Sequence, residues 1–461
     1  MAKRVRRLAI VALCLVACGS AAAQSAPSDA DAALARAIRA NDVAAARTAL
    51  ARHADPNRRL AFQATPLGWA VDTQNPEMVA ALIAGGARPN TADIDGVSPL
   101  GLACELGEPA IVTALLRAGA DARTTRPDGV TPLAICARFG PADAVAWLLA
   151  HGAVADAVDS RGQTPLMWAA AGARVEAIAM LLKAGADVNR VSKGGFPPLF
   201  FAIKGGGAAA TEQLLAAGAR PDYRGPEKSS ALQLATYQKN YAAAVVLVAH
   251  GGDVAERDRE GYQPLHRAAA AGDTALIAAL LARRADPNAT TGASRITWVT
   301  EANFGVPPPP VPPTPPLLIA AANGHAEAMA LLRTGGANPA FVAADGTTVV
   351  LAAARGGNAA ALALALSLAP DANVADAQGN TALHLLLGGG MQPELGAMIG
   401  LLADHGARSD IANKRGSTAT QLAEGGVSDV KAVFRDRFPC RPDRMVAQAG
   451  RPPSLRITDT H

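Results

Sequence analysis

Large apolar residues fall in pairs along this chain, and the pairs recur at a fixed spacing. Leu115–Leu116, Leu148–Leu149, Leu181–Leu182, Leu214–Leu215 and Leu280–Leu281 each close a stretch of helical periodicity. A shorter Ala-rich stretch, such as "LACEL" or "WAAAG", lies ahead of each pair. The pattern predicts two short helices per unit. The first carries small side chains that let neighbours approach closely, and the second carries the large ones that fill the layer between units. A glycine follows at Gly86, Gly119, Gly152, Gly185, Gly218 and Gly251, each step 33 residues. Glycine there suits a helix exit at positive φ, which it adopts without steric cost.

The opening of each unit keeps the same step. Thr65, Ser98, Thr131, Thr164, Pro197, Ser230 and Gln263 stand 33 residues apart. A Thr or Ser here can cap the first helix by accepting a backbone N–H. Pro66, Pro99, Pro132, Pro165, Pro198 and Pro264 come next, at the first helical position, where proline has no N–H to lose. Polar stretches such as "TADIDGV" and "AVDSRGQ" connect the units as hairpins. The clearest copy is "TPLMWAAAGARVEAIAMLLKAGADVN", Thr164–Asn189.

This copy and its period resemble the ankyrin repeat, whose signature is T-P-L-H-x-A at the same spacing. The resemblance implies an all-α solenoid of stacked ankyrin repeats with short β-hairpin loops. Each unit would touch only its neighbours, building one curved array on the order of 100 Å long. Residues 30–64 read as an N-terminal capping helix pair, 65–288 as repeats of strict period, and 314–440 as less regular repeats with a C-terminal cap. The later units begin near Pro315, Thr347, Thr381 and Thr418. The total is about eleven or twelve units. Residues 441–461 show no helical period and read as a disordered tail.

One stretch breaks the register. From Gln263 to Pro315 the step is 52 residues, nineteen more than the period. The extra material, within residues 289–313, includes "VPPPPVPPTPP" and is expected to take an extended polyproline form. The segment before it, with Ile296, Trp298 and Val299, has the partial alternation of a short strand. The array resumes at once with "TPPLLIAAANGH", so the prolines read as an insertion in a hairpin rather than a domain boundary. Insertions in such arrays map to loops on one face. Just ahead of it, Arg284 stands where the period places the helix-ending glycine. A non-glycine residue in the left-handed region costs about 1 kcal/mol. Two further departures mark softer joints: Ala231 in place of proline, and "TVVLAAARGGNAAALALALSLAPDAN", which lacks the usual "LLxxGA" ending.

The first residues read as an export signal. Lys3, Arg4, Arg6 and Arg7 precede the apolar run "LAIVALCLVAC", too short to span a bilayer, and "GSAAAQ" offers small-residue cleavage before Gln24. Residues 1–23 are then the signal peptide. Alternatively "LVAC", Leu15–Cys18, resembles a lipobox, making 1–17 the signal and Cys18 a lipidated N-terminus. The expected location is the periplasm or beyond, with lipid anchoring to the outer membrane as the alternative. Without residues 1–23 the chain has 39 basic and 39 acidic residues. That balance removes the footprint of a nucleic-acid binder. It leaves Cys18 as the sole expected link to a membrane. Cys104 and Cys136 stand one repeat apart, on helices whose usual spacing of about 8–10 Å argues against a bridge, so both read as small core residues.

No HExxH, GxSxG or GxxxxGK[ST] motif occurs, and no cofactor, metal or catalytic residue is expected. The histidines sit at repeat positions. His151, His250 and His405 precede helix-ending residues, His266 and His384 fill the H of TPLH, and His325 lies between two helices. "DIDG", Asp93–Gly96, reads as a turn rather than a calcium loop.

The resemblance implies instead a monomeric protein that binds another protein through its concave face. The family's variable contact positions map here to Ile94, Asp95 and Val97; Glu105 and Leu106; Asp128; Arg138 and Phe139; Arg161 and Gln163; Lys193 and Phe196; Lys204; Tyr237 and Gln238; Arg259 and Tyr262. Trp298 joins them as a contact carried by the insertion. An alternative use of the same surfaces is to inhibit or regulate a partner enzyme through the groove or the Pro-rich loop.

Overall fold

A computed structural model describes residues 28–294 and 312–439. The export signal, Cys18, Trp298 and the tail from residue 441 lie outside the described residues. The described residues fall into two compact units that meet in sequence at Pro127 and Asp128.

The first unit holds α1 (Asp29–Ala40), α2 (Val43–Ala51), α3 (Pro66–Asp72), α4 (Pro76–Ala84), α5 (Pro99–Leu106) and α6 (Pro109–Arg117). The second begins with α7 (Pro132–Phe139), α8 (Ala142–Ala150), α9 (Pro165–Ala171), α10 (Val175–Lys183), α11 (Pro198–Lys204) and α12 (Ala208–Ala216). It continues with α13 (Ala231–Tyr237), α14 (Tyr241–Ala249), α15 (Pro264–Ala271), α16 (Thr274–Ala282), α17 (Pro316–Ala322) and α18 (Ala326–Thr334). It ends with α19 (Val349–Arg355), α20 (Ala359–Leu368), α21 (Ala382–Gly388), α22 (Leu395–Asp404), α23 (Ala419–Gly425) and α24 (Ser428–Arg437). Within each unit, first helices pack on first helices and second on second: α3 on α1 and α4 on α2, α9 on α7 and α12 on α10. The fold is thus an all-α solenoid of stacked helix pairs.

Helices of this length are marginal alone, so packing holds them. Leu148, Leu181, Leu214, Leu247 and Leu280 are fully buried, one per second helix. Their partners in the leucine pairs differ: Leu149, Leu182 and Leu281 are only half-buried. Successive helical residues point about 100° apart, so the second of a pair sits off the layer centre, although Leu116 and Leu215 are still buried. The caps form as their residue types suggest. The side-chain oxygens of Thr65, Ser98, Thr131, Thr164 and Ser230 each accept a backbone N–H three residues on. In the later array the cap is Thr348, one residue past Thr347. The loops are plainer than hairpins: among the described residues the β pairing is limited to two isolated bridges, Ala375–Thr381 and Ala412–Thr418.

The cysteines require a correction. Cys104 in α5 and Cys136 in α7 are fully buried, and both are disulfide-bonded rather than free thiols. The spacing between helix axes is the wrong yardstick. Cα atoms ride about 2.3 Å off a helix axis, so axis spacing alone does not exclude a cysteine on a helix from a disulfide.

An asparagine ladder measures the insertion. Asn189 bridges to the next repeat by donating to Gly218 O and accepting from Arg220 N, 29 and 31 residues on. Asn288 makes the same two bonds to Gly336 O and Asn338 N, 48 and 50 residues on. Both spans are longer by nineteen, so the next repeat seats as though the extra residues were absent. Stacking continues accordingly, α17 on α15 and α18 on α16. The two ends of the extra segment are tied together: Thr291 N donates to Thr314 O, and Thr314 N to Thr291 Oγ1, each at 3.1 Å.

Arg284, at the exit of α16, has φ 63°, in the left-handed region. Replacing it by glycine is expected to stabilise the protein by about 1 kcal/mol, because the Cβ–carbonyl clash disappears. A rise in the midpoint of thermal unfolding, followed by circular dichroism, checks this. An unchanged or lower midpoint would contradict it.

Candidate functional site

The loops that join the helix pairs are built on side-chain staples. Asp93 Oδ1 accepts from Asp95 N and Val97 N at 3.0 and 2.8 Å. Asp159 Oδ1 does the same for Arg161 N and Gln163 N at 2.9 and 2.8 Å. Asp258 repeats it with Glu260 N and Tyr262 N, both at 2.9 Å. These carboxylates are thereby spent on turning the chain, which accounts for the "DIDG" stretch. In the second unit, tips also brace one another: Ser160 N donates to Asp128 O at 2.7 Å, and Lys193 N to Arg161 O at 3.0 Å. With the backbone satisfied, the side chains at the tips are left to project.

In the first unit the expected contact residues Ile94, Asp95 and Glu105 are exposed, while Val97 and Leu106 are half-buried. Ile94 leaves 71% of its surface bare, unusual for an isoleucine not needed by the core. Phe62 is barer still, at 81%, and sits with Gln63 in the left-handed region, both at φ 58°. Two successive non-glycine residues there are strained, and strain of this kind gathers at functional loops. Sequence reasoning missed Phe62. The signal was present, since it lies 33 residues before Asp95, at a loop tip, but residues 30–64 read only as a cap.

In the second unit, Asp128, Phe139, Arg161, Lys193, Phe196, Lys204, Tyr237, Gln238 and Arg259 are exposed, and Arg138, Gln163 and Tyr262 half-buried. Two groups form. In the first, the Arg138 guanidinium lies 4.9 Å from the Phe139 ring centre and 5.7 Å from that of Trp168. Arg161 lies 6.0 Å from the same Trp168 ring. Phe139 and Phe196 keep 41% and 39% of their surface exposed, and Phe196 backs onto the buried Phe200 at 6.1 Å. Trp168 was not anticipated as a site residue. Its half-buried ring fills the step after "TPLM", where other copies hold Trp69, Leu102, Ile135, Phe201, Leu234 and Arg267, and its buried Nε1 lacks a hydrogen-bond partner among the described residues.

The second group surrounds a cleft of about 320 Å³ lined by Gln233, Tyr237, Arg259 and Arg267. Arg267 stacks on Tyr262 at 4.4 Å and binds Asp258 and Glu260 at 2.7 and 2.8 Å. Burial works against the Arg267 charge, but the bonds to Glu260 and Asp258 outweigh it and raise its pKa. Glu256 alongside is buried against Arg224 and the Ser230 hydroxyl. Burial raises its pKa despite those two partners. Tyr237, 74% exposed, stands at the rim rather than tucked against a helix. Among the described residues no three His, Cys, Asp or Glu side chains gather as metal ligands, and no helix is long and apolar enough to cross a membrane. What these groups can do chemically is hold a surface: rings for apolar contact, with stacked guanidinium groups beside them.

A family model described as ankyrin repeats (3 copies) matches residues 34–126, 100–192 and 199–291. The spans 34–192 and 199–291 together exceed half of the 461 residues. Among solved structures, the human ASB11 ankyrin repeat domain is 26% identical, with a TM-score of 0.43, and the match covers 48% of this chain and 98% of that one. The ankyrin repeat domain of Bcl-3 is 28% identical, with a TM-score of 0.38 and coverage of 45% and 95%. No curated protein matches the chain.

Proposed function

The chain belongs to the ankyrin-repeat family, and from that premise we propose that it is a scaffold of the cell envelope that captures a partner protein on its loop tips and first-helix ends. Ankyrin repeats generally mediate protein–protein interaction. The observation that carries the reading is the set of bare aromatic side chains, Phe139, Phe196 and Tyr237, beside cations in a chain that is only 4% aromatic. Aromatic and Arg residues dominate the energy of interfaces. Residues 1–23 would direct export, or residues 1–17 with lipidation at Cys18. The Pro-rich segment would project from its hairpin on the same side, with Trp298 as a further contact. The role needs no catalytic centre and no cofactor.

The test is crosslinking in the cell envelope with quantitative mass spectrometry, which also reads the mature N-terminus. Phe139→Ala with Tyr237→Ala is expected to lower capture of the partner about tenfold or more. Glu176→Ala, on the exposed side of second helix α10, is expected to leave it unchanged. Equal capture by all three chains would refute the assignment of this face.

A further inference from the structure

The contact surface around α7, α9 and α11 has a chemistry of its own. We propose that it receives an acidic, extended segment of a partner protein that also carries aromatic or large apolar side chains; this rests on the interaction role above and names the partner's chemistry.

The charge is one-sided. Arg138, Arg161, Lys193 and Lys204 all stand exposed or half-buried on the loop tips and first-helix ends. Their nearest acid on the same loops, Asp159, is buried and committed to Arg161 N and Gln163 N. It lies 3.5 Å from the Arg161 guanidinium, whose side chain nevertheless keeps 63% of its surface exposed. Asp128, one tip earlier, accepts from Val130 N. A carboxylate-bearing ligand therefore meets more cation than acid.

The arginines are also prearranged. A guanidinium stacked on a ring has its flat faces covered, while its N–H edge stays open to grip a carboxylate in two-point fashion. Arg138 is stacked this way beside both Phe139 and Trp168; Arg161 lies 6.0 Å from the Trp168 ring centre and keeps one long bond, Nη2 to Asp159 Oδ2 at 3.5 Å. The tips are tied to one another, Lys193 N bonded to Arg161 O and Ser160 N to Asp128 O. On the same loops and first-helix ends stand the bare rings of Phe139 and Phe196. Cations alone would suit any polyanion; rings beside them ask for a ligand with apolar side chains as well as charge. First helices stacked at about 10 Å put Arg138 and Lys204 on the order of 20 Å apart, the reach of about six extended residues.

Fluorescence anisotropy of labelled synthetic peptides against the full chain tests this. The probes are peptides of about ten residues alternating Glu with Phe, Gln with Phe, Glu with Ala and Lys with Phe, together with an oligo-dT strand. The Glu/Phe peptide is expected to bind at least about tenfold more tightly than each of the others, and to weaken with added salt. Arg138→Glu with Arg161→Glu is expected to remove that preference. Arg138→Lys with Arg161→Lys keeps charge but not the planar fork, and is expected to fall between. Arg161 is exposed and Arg138 half-buried, with neither in the buried core, so circular dichroism is expected to show unchanged folding in either variant.

Equal binding of the Gln/Phe peptide, equal binding of Glu/Ala or oligo-dT, or no effect of the double reversal would each overturn the proposal. If the Glu/Phe peptide fails to bind while Phe139→Ala with Tyr237→Ala still loses the crosslinked partner, the acidic class falls and the interaction role stands.

Discussion

Lowering the pH from 7 to 4.5 is expected to cost this protein about 2 kcal/mol through a single side chain, His266. The imidazole is buried at the start of α15 with both nitrogens committed: Nδ1 accepts from Gln263 N at 3.1 Å, and Nε2 faces Ala289 O at 2.9 Å. A proton added to Nδ1 would confront an N–H donor inside the core. Burial accordingly lowers the pKa from the ordinary 6.5 to about 4. The unfolded chain binds the proton first as pH falls. The stability tied to neutral His266 is therefore whole above pH 6.5 and drains away towards pH 4. Acidic groups titrate over the same range, and Glu256, with its pKa raised by burial, opposes the trend. A control inside the chain separates them. Gln233 holds the equivalent place one repeat earlier, where its side chain accepts from Ser230 N and donates to Arg257 O. His266→Gln is expected to keep both bonds and lose the proton. Urea midpoints at the two pH values check it: the parent should fall more steeply than the variant, and parallel falls would rule His266 out as the cause.

The helices, the Thr and Ser caps of the regular repeats and the register across the extra nineteen residues were legible, because each rests on local residue types at a fixed period; the cap at Thr348 was not. Thr164 caps, Pro165 starts and Leu181 fills the layer wherever the rest of the chain goes. Arg284 was legible for the same reason, since a position that needs positive φ needs it whatever stands there. What the sequence hid depends on geometry across units or on tertiary surroundings. The disulfide state of Cys104 and Cys136 turns on tertiary placement, which residue spacing does not specify. Phe62 hid because the N-terminal pair lacks a glycine-bearing turn ahead of it, and exposure cannot be read from an aromatic letter. Arg267 falls on a position that reads as plain helix surface until Tyr262, Asp258 and Glu260 are seen converging on it.

Gly261→Ala is expected to be among the most damaging small substitutions in the chain, at roughly 3 kcal/mol, against about 1 kcal/mol for Gly251→Ala. Both glycines sit near φ 90°, so both pay the left-handed penalty. They differ in their surroundings. A Cβ at Gly251 would meet nothing within 4 Å, whereas one at Gly261 would drive into the Gly292 carbonyl, with its carbon at 2.7 Å. That carbonyl cannot simply retreat. Gly292 N donates to Gly261 O at 2.8 Å, and Arg257 Nη1 ties Gly261 O to Thr290 O at 3.0 and 2.7 Å. The substitution must break this clasp, and the clasp holds the first residues of the segment whose two ends meet at Thr291 and Thr314. The excess cost of Gly261→Ala over Gly251→Ala therefore measures how firmly Gly292 and its neighbours are held. Hydrogen exchange should show faster opening at Gly292 and Thr291 in the Gly261 variant, with the amides of α9 and α10 unaffected. Equal destabilisation by the two substitutions would mean that the clasp of Gly261, Arg257 and Gly292 contributes nothing to stability.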